Sequence, residues 1–204
     1  MSSPDPGRAL QDTIAAVATA VAPGQGGIAV IRLSGPQAQR AVQAIACFPG
    51  QQAWASHRVL YGHVLAADGV ERLDEVLVLV MQAPRSFTAE DVVEIHCHGG
   101  VIAVQRVLAR VLEQSGVRRA RPGEFSQRAV LNGRLDLTRA EAITDLVAAR
   151  SQRAAQLAMA GLDGGIQRRI GALRERLLDQ LSELEARVDF EDDLPPLDLS
   201  LIHI

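Results

Sequence analysis

Lysine is missing from this sequence; all 21 basic residues are arginine. A Walker A loop uses a lysine to reach the β/γ-phosphates, and no G-x-x-x-x-G-K-[ST] run is present. Schiff-base and lysine general-base chemistry are excluded with it. Cysteine is scarce as well. Cys47 and Cys97 stand too far apart for a Cys-only zinc site and are too few for a disulfide scaffold, which fits a reducing cytosol. Long hydrophobic runs are also lacking: nothing reaches the ~18 apolar residues of a membrane span. The run Ile14 to Ala22 behind Arg8 imitates a signal peptide, but Asp12 interrupts the basic region before the run, and alanine and valine dominate the run itself. Excess charge of either sign is absent, the net value being −3, which argues against a dedicated nucleic-acid-coating domain.

What is present suits a globular chain. Its 204 residues are 48% hydrophobic and 22% charged, enough for one large domain or two small ones. A chain of this length buries roughly 70% of its unfolded surface without needing metals or disulfides.

Two textures divide the sequence. Up to about residue 135 it is rich in Val, Ile and Gly in short alternating runs; from Asp136 it is rich in Ala, Leu, Arg and Glu. A sheet-containing domain followed by a helical one is expected. Strands are predicted over Thr13–Thr19, Ile28–Leu33, Arg58–Ala66, Leu73–Met81 and Asp91–Cys97, with Asp68-Gly69 turning a hairpin. Helices are predicted from Pro36 to Cys47, from Gly99-Gly100 to Gln114 with Gly116 at the C′ position, and from Arg121 to Asn132-Gly133. Thr138-x-x-Glu141 reads as a capping box opening a long helix that breaks at Gly161 and Gly164-Gly165. A second long helix from Ile166 carries Ile170, Leu173, Leu177, Leu181, Leu184 and Val188 on one stripe. Such stripes need further partners, so the helical half reads as incomplete. The apolar end, Leu199 to Ile204, is expected to mark a truncation or an unrelated tail.

Several residues could carry chemistry. Strand alternation puts Glu94, His96 and His98 on one face, and His-x-His can supply two nitrogens to zinc. Glu94 lies too far along the strand to share one ion with both histidines, since two residues span about 6–7 Å. Polar residues lining a pocket are the plainer reading. Arg32 interrupts the apolar strand Ile28–Leu33 and needs a partner, for which Glu94 would serve, or an edge where it reaches solvent. The turn Gly24-x-Gly26-Gly27 precedes a strand, whereas the dinucleotide fingerprint precedes a helix, so a tight turn is expected there. Arg118, Arg119, Arg121, Arg128, Arg134 and Arg139 cluster; arginine forks suit carboxylates and phosphates, and a solvated face is the expectation for any one of them.

Three stretches together resemble a known family. They are Asp12-Thr13-Ile14-Ala15-Ala16 with Pro23 to Gly35, Ser86 to Gly100, and Ala120 to Leu137, followed by Val188-Asp189-Phe190. The sequence is similar, nearly to Pro196, to the tRNA modification GTPase family MnmE, also called TrmE.

The resemblance implies an α+β fold: an aminomethyltransferase-like folate-binding and dimerisation domain over residues 1–135, then an incomplete α-helical domain. Residues 136–196 would be the first helices of that helical domain, and 197–204 a tail of uncertain origin. It implies a cytoplasmic homodimer that works with the FAD protein MnmG to add an aminomethyl-type group at C5 of the tRNA wobble uridine. The one-carbon donor would be 5-formyl- or 5,10-methylene-tetrahydrofolate. The matching folate-site positions are Arg32, Glu94 and Arg134, the last standing where some relatives carry lysine. The family's GTPase domain, with its GTP, Mg and K ions, and its C-terminal cysteine motif have no counterpart in these 204 residues. GTP hydrolysis would therefore belong to the full-length family, and no catalytic residue is assigned to this chain. Two other readings are a metal-dependent enzyme using Glu94, His96 and His98, and a helical interaction protein docking through the Ala/Leu/Arg-rich half.

Overall fold

The structure, a computed structural model, describes residues 12–24 and 26–189. Arg8, Gln25, Phe190, the Val188 side chain and the expected tail 197–204 lie outside the described residues. The fold is α+β, and the chain divides into two compact units, Met1–Leu135 and Asp136–Ile204.

The first unit is built on a seven-stranded sheet. Its strands are β1 (Thr13–Val17), β2 (Ile28–Ser34), β3 (Ala46–Cys47), β4 (Arg58–Leu65), β5 (Arg72–Met81), β6 (Val92–His98) and β7 (Val117–Arg119), in the order β3-β4-β5-β6-β2-β1-β7. All neighbours are antiparallel except β1 and β7, which are parallel. Alternation sorts the side chains onto two faces. Ala29, Ile31, Leu33, Val76, Val78, Val80, Val93 and Ile95 point to one face, where every one is fully or nearly fully buried. Helices α1 (Ala38–Ile45) and α2 (Val101–Leu112) cover that face with Val42, Ile45, Val104, Val107, Leu108 and Val111, closing a single hydrophobic core. Each such side chain removed from water contributes about 1.5–3 kcal/mol.

The second face is covered only in part. Helix α3 (Glu124–Leu131) lies over it near β1 and β2, while Ile28, Val59, Tyr61 and Leu77 stay exposed. Gly99 explains the turn before β2: a Cβ there would come within 2.3 Å of the Gly26 carbonyl oxygen. The Gly26-Gly27 segment is therefore a close backbone approach, with the Gly99 N–H donating to Gly27 at 3.1 Å.

Three local expectations are corrected. Pro36 precedes the N-cap Gln37 instead of entering the first helical turn, and α1 stops at Ile45 because Ala46-Cys47 pair with β4. The hairpin expected at Asp68-Gly69 does join β4 and β5: Gly69 sits at φ 72°, Asp68 Oδ1 accepts from the Val70 and Glu71 N–H groups, and the register shifts at Val64/Leu65. Helix α2 ends at Leu112, and Gly116, at φ 78°, turns the chain into β7, a strand too short to show periodicity.

The third correction falls in the second unit. The long helix expected after Asp136 is two helices, α4 (Leu137–Ala148) and α5 (Gln152–Leu162), because Ser151 caps a new start by accepting from the Ala154 N–H. The cap of α4 is Asp136, which accepts from the Arg139 N–H at 2.8 Å; Thr138 lies inside the helix and donates its hydroxyl to Asp136. Gly161 lets α5 approach α4, since a Cβ would sit 2.9 Å from Ala142 Cβ. Helix α6 (Gly165–Asp189) follows, with Ile170, Leu173, Leu177, Leu181 and Leu184 exposed along its stripe. Among the described residues no helix is long and apolar enough to cross a membrane.

Candidate functional site

Register brings the first two candidate residues together. On the second face of the sheet, Arg32 of β2 stands directly opposite Glu94 of β6. Arg32 Nε and Nη2 both donate to Glu94 Oε1 at 2.7 Å. The guanidinium lies 5.4 Å from the Phe87 ring centroid and 5.8 Å from that of Phe125 on α3, within cation–π range. The pair is half-open, the side chains being 28% and 13% exposed. Glu94 Oε2 faces His96 Nε2 at 3.5 Å, too long for a good hydrogen bond, and that ring nitrogen has no partner among the described residues. One carboxylate oxygen and one arginine nitrogen thus stay free beside two aromatic rings. The arrangement suits a flat polar ring that offers a donor and an acceptor side by side.

Arg134 sits apart from this pair. It follows the left-handed Gly133 that ends α3 and lines a cleft of about 440 Å³ with Met81, Arg85 and Phe87. No hydrogen bond joins Arg134 to Arg32 or Glu94; Phe87 is what the two places share.

The E-x-H-x-H strand does not converge on an ion. Glu94 and His96 face the same side as expected, but His98 Nδ1 pairs with Asp74 Oδ1 at 2.6 Å and its backbone N–H donates to Asp74 Oδ2 at 2.8 Å. The hydrogen bond that Asp74 accepts raises the His98 pKa. No group of three or more His, Cys, Asp or Glu among the described residues is placed to hold a metal. Cys97 points into the core, where burial pushes its thiol up to about 11.

The arginine cluster separates into different roles. Arg119, Arg121 and Arg134 are exposed, but Arg128 is only 2% exposed, and the solvated-face expectation fails for it. Its Nη1 donates to the Asp12 carbonyl at 2.9 Å and to Glu90 at 3.2 Å; its Nη2 donates to Asp12 Oδ1 at 2.5 Å. Arg118 reaches both Asp12 and Glu124, the latter through two nitrogens. The Ser34 hydroxyl donates to Glu90 at 2.6 Å and meets Thr88 at 2.7 Å, while Asn132 donates to the Thr88 carbonyl. This network fastens α3 to β1, β2 and the loop before β6, and so places Phe125 over Arg32. The Arg118 hydrogen bonds hold the Glu124 carboxyl down to about 2. Sequence reasoning named neither Glu90 nor Glu124 as a partner. The i,i+4 spacing of Glu124 and Arg128 was the available signal.

The α+β sheet unit that carries this half-open arginine–carboxylate pair, followed along the chain by a helical unit, belongs to a defined class. Residues 13–134 match the family described as GTP-binding protein TrmE N-terminus, and residues 137–203 match the MnmE helical domain. The chain belongs to the TrmE/MnmE family. It is 84% identical over 197 residues, 97% of its length, to the tRNA modification GTPase MnmE of Synechococcus sp. (strain CC9311). Identity to the MnmE of Synechococcus sp. (strain WH7803) is 86% over 91% of the chain, and to that of Prochlorococcus marinus (strain MIT 9303) 77% over 97%. The matches cover 42%, 40% and 42% of those relatives, so the chain spans about two-fifths of their length.

Proposed function

We propose that the first unit binds a reduced folate at Arg32 and Glu94, with Arg134 at the edge of the site. The observation that carries this is the half-open pair, with Glu94 Oε2 and an Arg32 nitrogen free between Phe87 and Phe125. A pterin ring presents adjacent N–H donors to a carboxylate and ring acceptors to a guanidinium. The ligand is 5-formyl- or 5,10-methylene-tetrahydrofolate. In the whole protein, which acts in the cytoplasm, this domain serves modification of the tRNA wobble uridine at C5 with MnmG. GTP hydrolysis with its Mg and K ions is carried by other parts of that protein. The first unit also forms the homodimer, a reading supported by the exposed apolar residues Ile28, Val59, Tyr61 and Leu77 on the open half of the sheet.

Calorimetric titration of the purified chain with 5-formyltetrahydrofolate tests the site. Saturable binding at one site per chain is expected, with Arg32→Ala and Glu94→Gln each weakening it at least tenfold. Unchanged affinity in both variants, with the fold intact, overturns the assignment.

A further inference from the structure

The cleft beside the pair has a composition that the pair itself does not explain. Its charged lining consists of Arg85 and Arg134, with His57 beside them, and no carboxylate among the described residues lines it. Neither arginine forms an ion pair among the described residues, whereas Arg32, Arg118 and Arg128 all do. Two unpaired guanidinium forks in one concavity form an anion-binding surface. Its position is set by the sheet. Leu79 stands opposite Glu94 and Met81 opposite Val92, so the Met81 wall lies two residues further along β5, about 7 Å at strand rise. Phe87 bridges the two places, with its ring near Arg32 and its side chain in the cleft wall.

We propose that this cleft binds the γ-linked oligoglutamate tail of the folate, making Arg85, together with Arg134, a determinant of preference for polyglutamylated over monoglutamylated forms. The inference rests on the folate reading of Arg32 and Glu94. A ligand whose pterin meets Glu94 continues through a p-aminobenzoyl ring, for which Phe87 is the neighbour, into a chain of carboxylates. Each added glutamate contributes one further carboxylate, and the cleft next to the pair offers two cations to receive them. The Arg85 side chain is exposed and forms no hydrogen bond or ion pair among the described residues, while its backbone N–H donates to Gln82, so replacing the side chain leaves the core untouched.

The test is a paired titration of the 204-residue chain with mono- and triglutamyl 5-formyltetrahydrofolate. The triglutamate is expected to bind about tenfold more tightly, as two exposed ion pairs would give, and that advantage should shrink at high salt. In Arg85→Gln the advantage should fall to about twofold or threefold while monoglutamate affinity stays within twofold. Arg153→Gln, in the second unit, should keep the full advantage. Equal affinity of the wild type for both forms overturns the proposal. So does an advantage that survives Arg85→Gln, or one that Arg153→Gln lowers as much. A wild type that binds neither folate overturns the pterin assignment, and the cleft is then judged by p-aminobenzoyl-tri-γ-glutamate alone. Binding of that probe that is lost in Arg85→Gln supports the tail site; its absence overturns it.

Discussion

Two arginine–carboxylate centres share the second face of the sheet and differ in what they leave over. Around Arg128 the network is sealed: Asp12, Glu90 and Glu124 accept from two arginines, and hydroxyls of Ser34 and Thr88 complete the shell. Around Arg32 a single carboxylate oxygen takes two nitrogens, and the rest of both groups faces an opening between aromatic rings. Both motifs place a charge where strand or helix periodicity points inward. The first spends its charges on fixing α3, and the second keeps polar capacity for a ligand. One therefore governs stability and the other governs binding.

The largest effect should come from the sealed centre. Arg128→Ala takes away the buried cation, leaving Glu90 without an arginine and Asp12 and Glu124 with Arg118 alone, and should cost about 3–5 kcal/mol, read as a lower denaturation midpoint in urea. Arg32→Ala removes a half-exposed pair and should cost at most about 1 kcal/mol, while abolishing folate affinity. Comparable losses of stability in the two variants would erase the distinction between the centres.

Acid sharpens it next. Glu124 is held near 2 in the folded state by Arg118, against the ordinary carboxylate value of 4.5 in the unfolded chain. A depressed carboxyl contributes fully above its unfolded value and loses that contribution as pH falls toward the folded one. Stability should therefore drop between about pH 4.5 and 2, by on the order of 2–3 kcal/mol from this group. Glu124→Gln should be less stable at neutral pH and show a flatter acid limb in urea titrations. An acid limb identical to wild type would place the titrating group elsewhere.

The two centres were not equally legible in the sequence. Arg32 was visible because it breaks an apolar strand, and Glu94 because alternation sets it on an outward face; only the β2–β6 register, a non-local fact, shows that they meet. Arg128 looked like one of six surface arginines, because nothing local says that residues more than a hundred positions away will fold over it. The core strands were clear from their β-branched runs, whereas β3 and β7, two and three residues long, carry no period to detect. The break between α4 and α5 was missed for a related reason: its signal is one serine cap inside an otherwise unbroken helical composition. The α4 cap was misplaced by two residues because Thr138 and Glu141 imitate a box that Asp136 actually begins. Asp136→Ala should accordingly cost the helical unit about 1 kcal/mol, and Thr138→Ala less, as thermal denaturation would show.

The smallest expected effect lies at the open edge of the same face. His98 is largely exposed, and its imidazolium is favoured by the hydrogen bond and charge of Asp74. A histidine whose pKa is raised on folding stabilises the fold fully below its unfolded value, and loses that contribution as pH climbs through the folded one. The contribution is slight, because water screens an exposed pair. It should be visible as a His98 ring titration, followed by NMR, whose midpoint moves down in Asp74→Asn while Arg32 and Glu94 variants leave it in place. A midpoint that follows Glu94→Gln instead would tie this edge electrostatically to the ligand pair, and the second face would then titrate as one coupled surface with the Arg128 network alone standing apart.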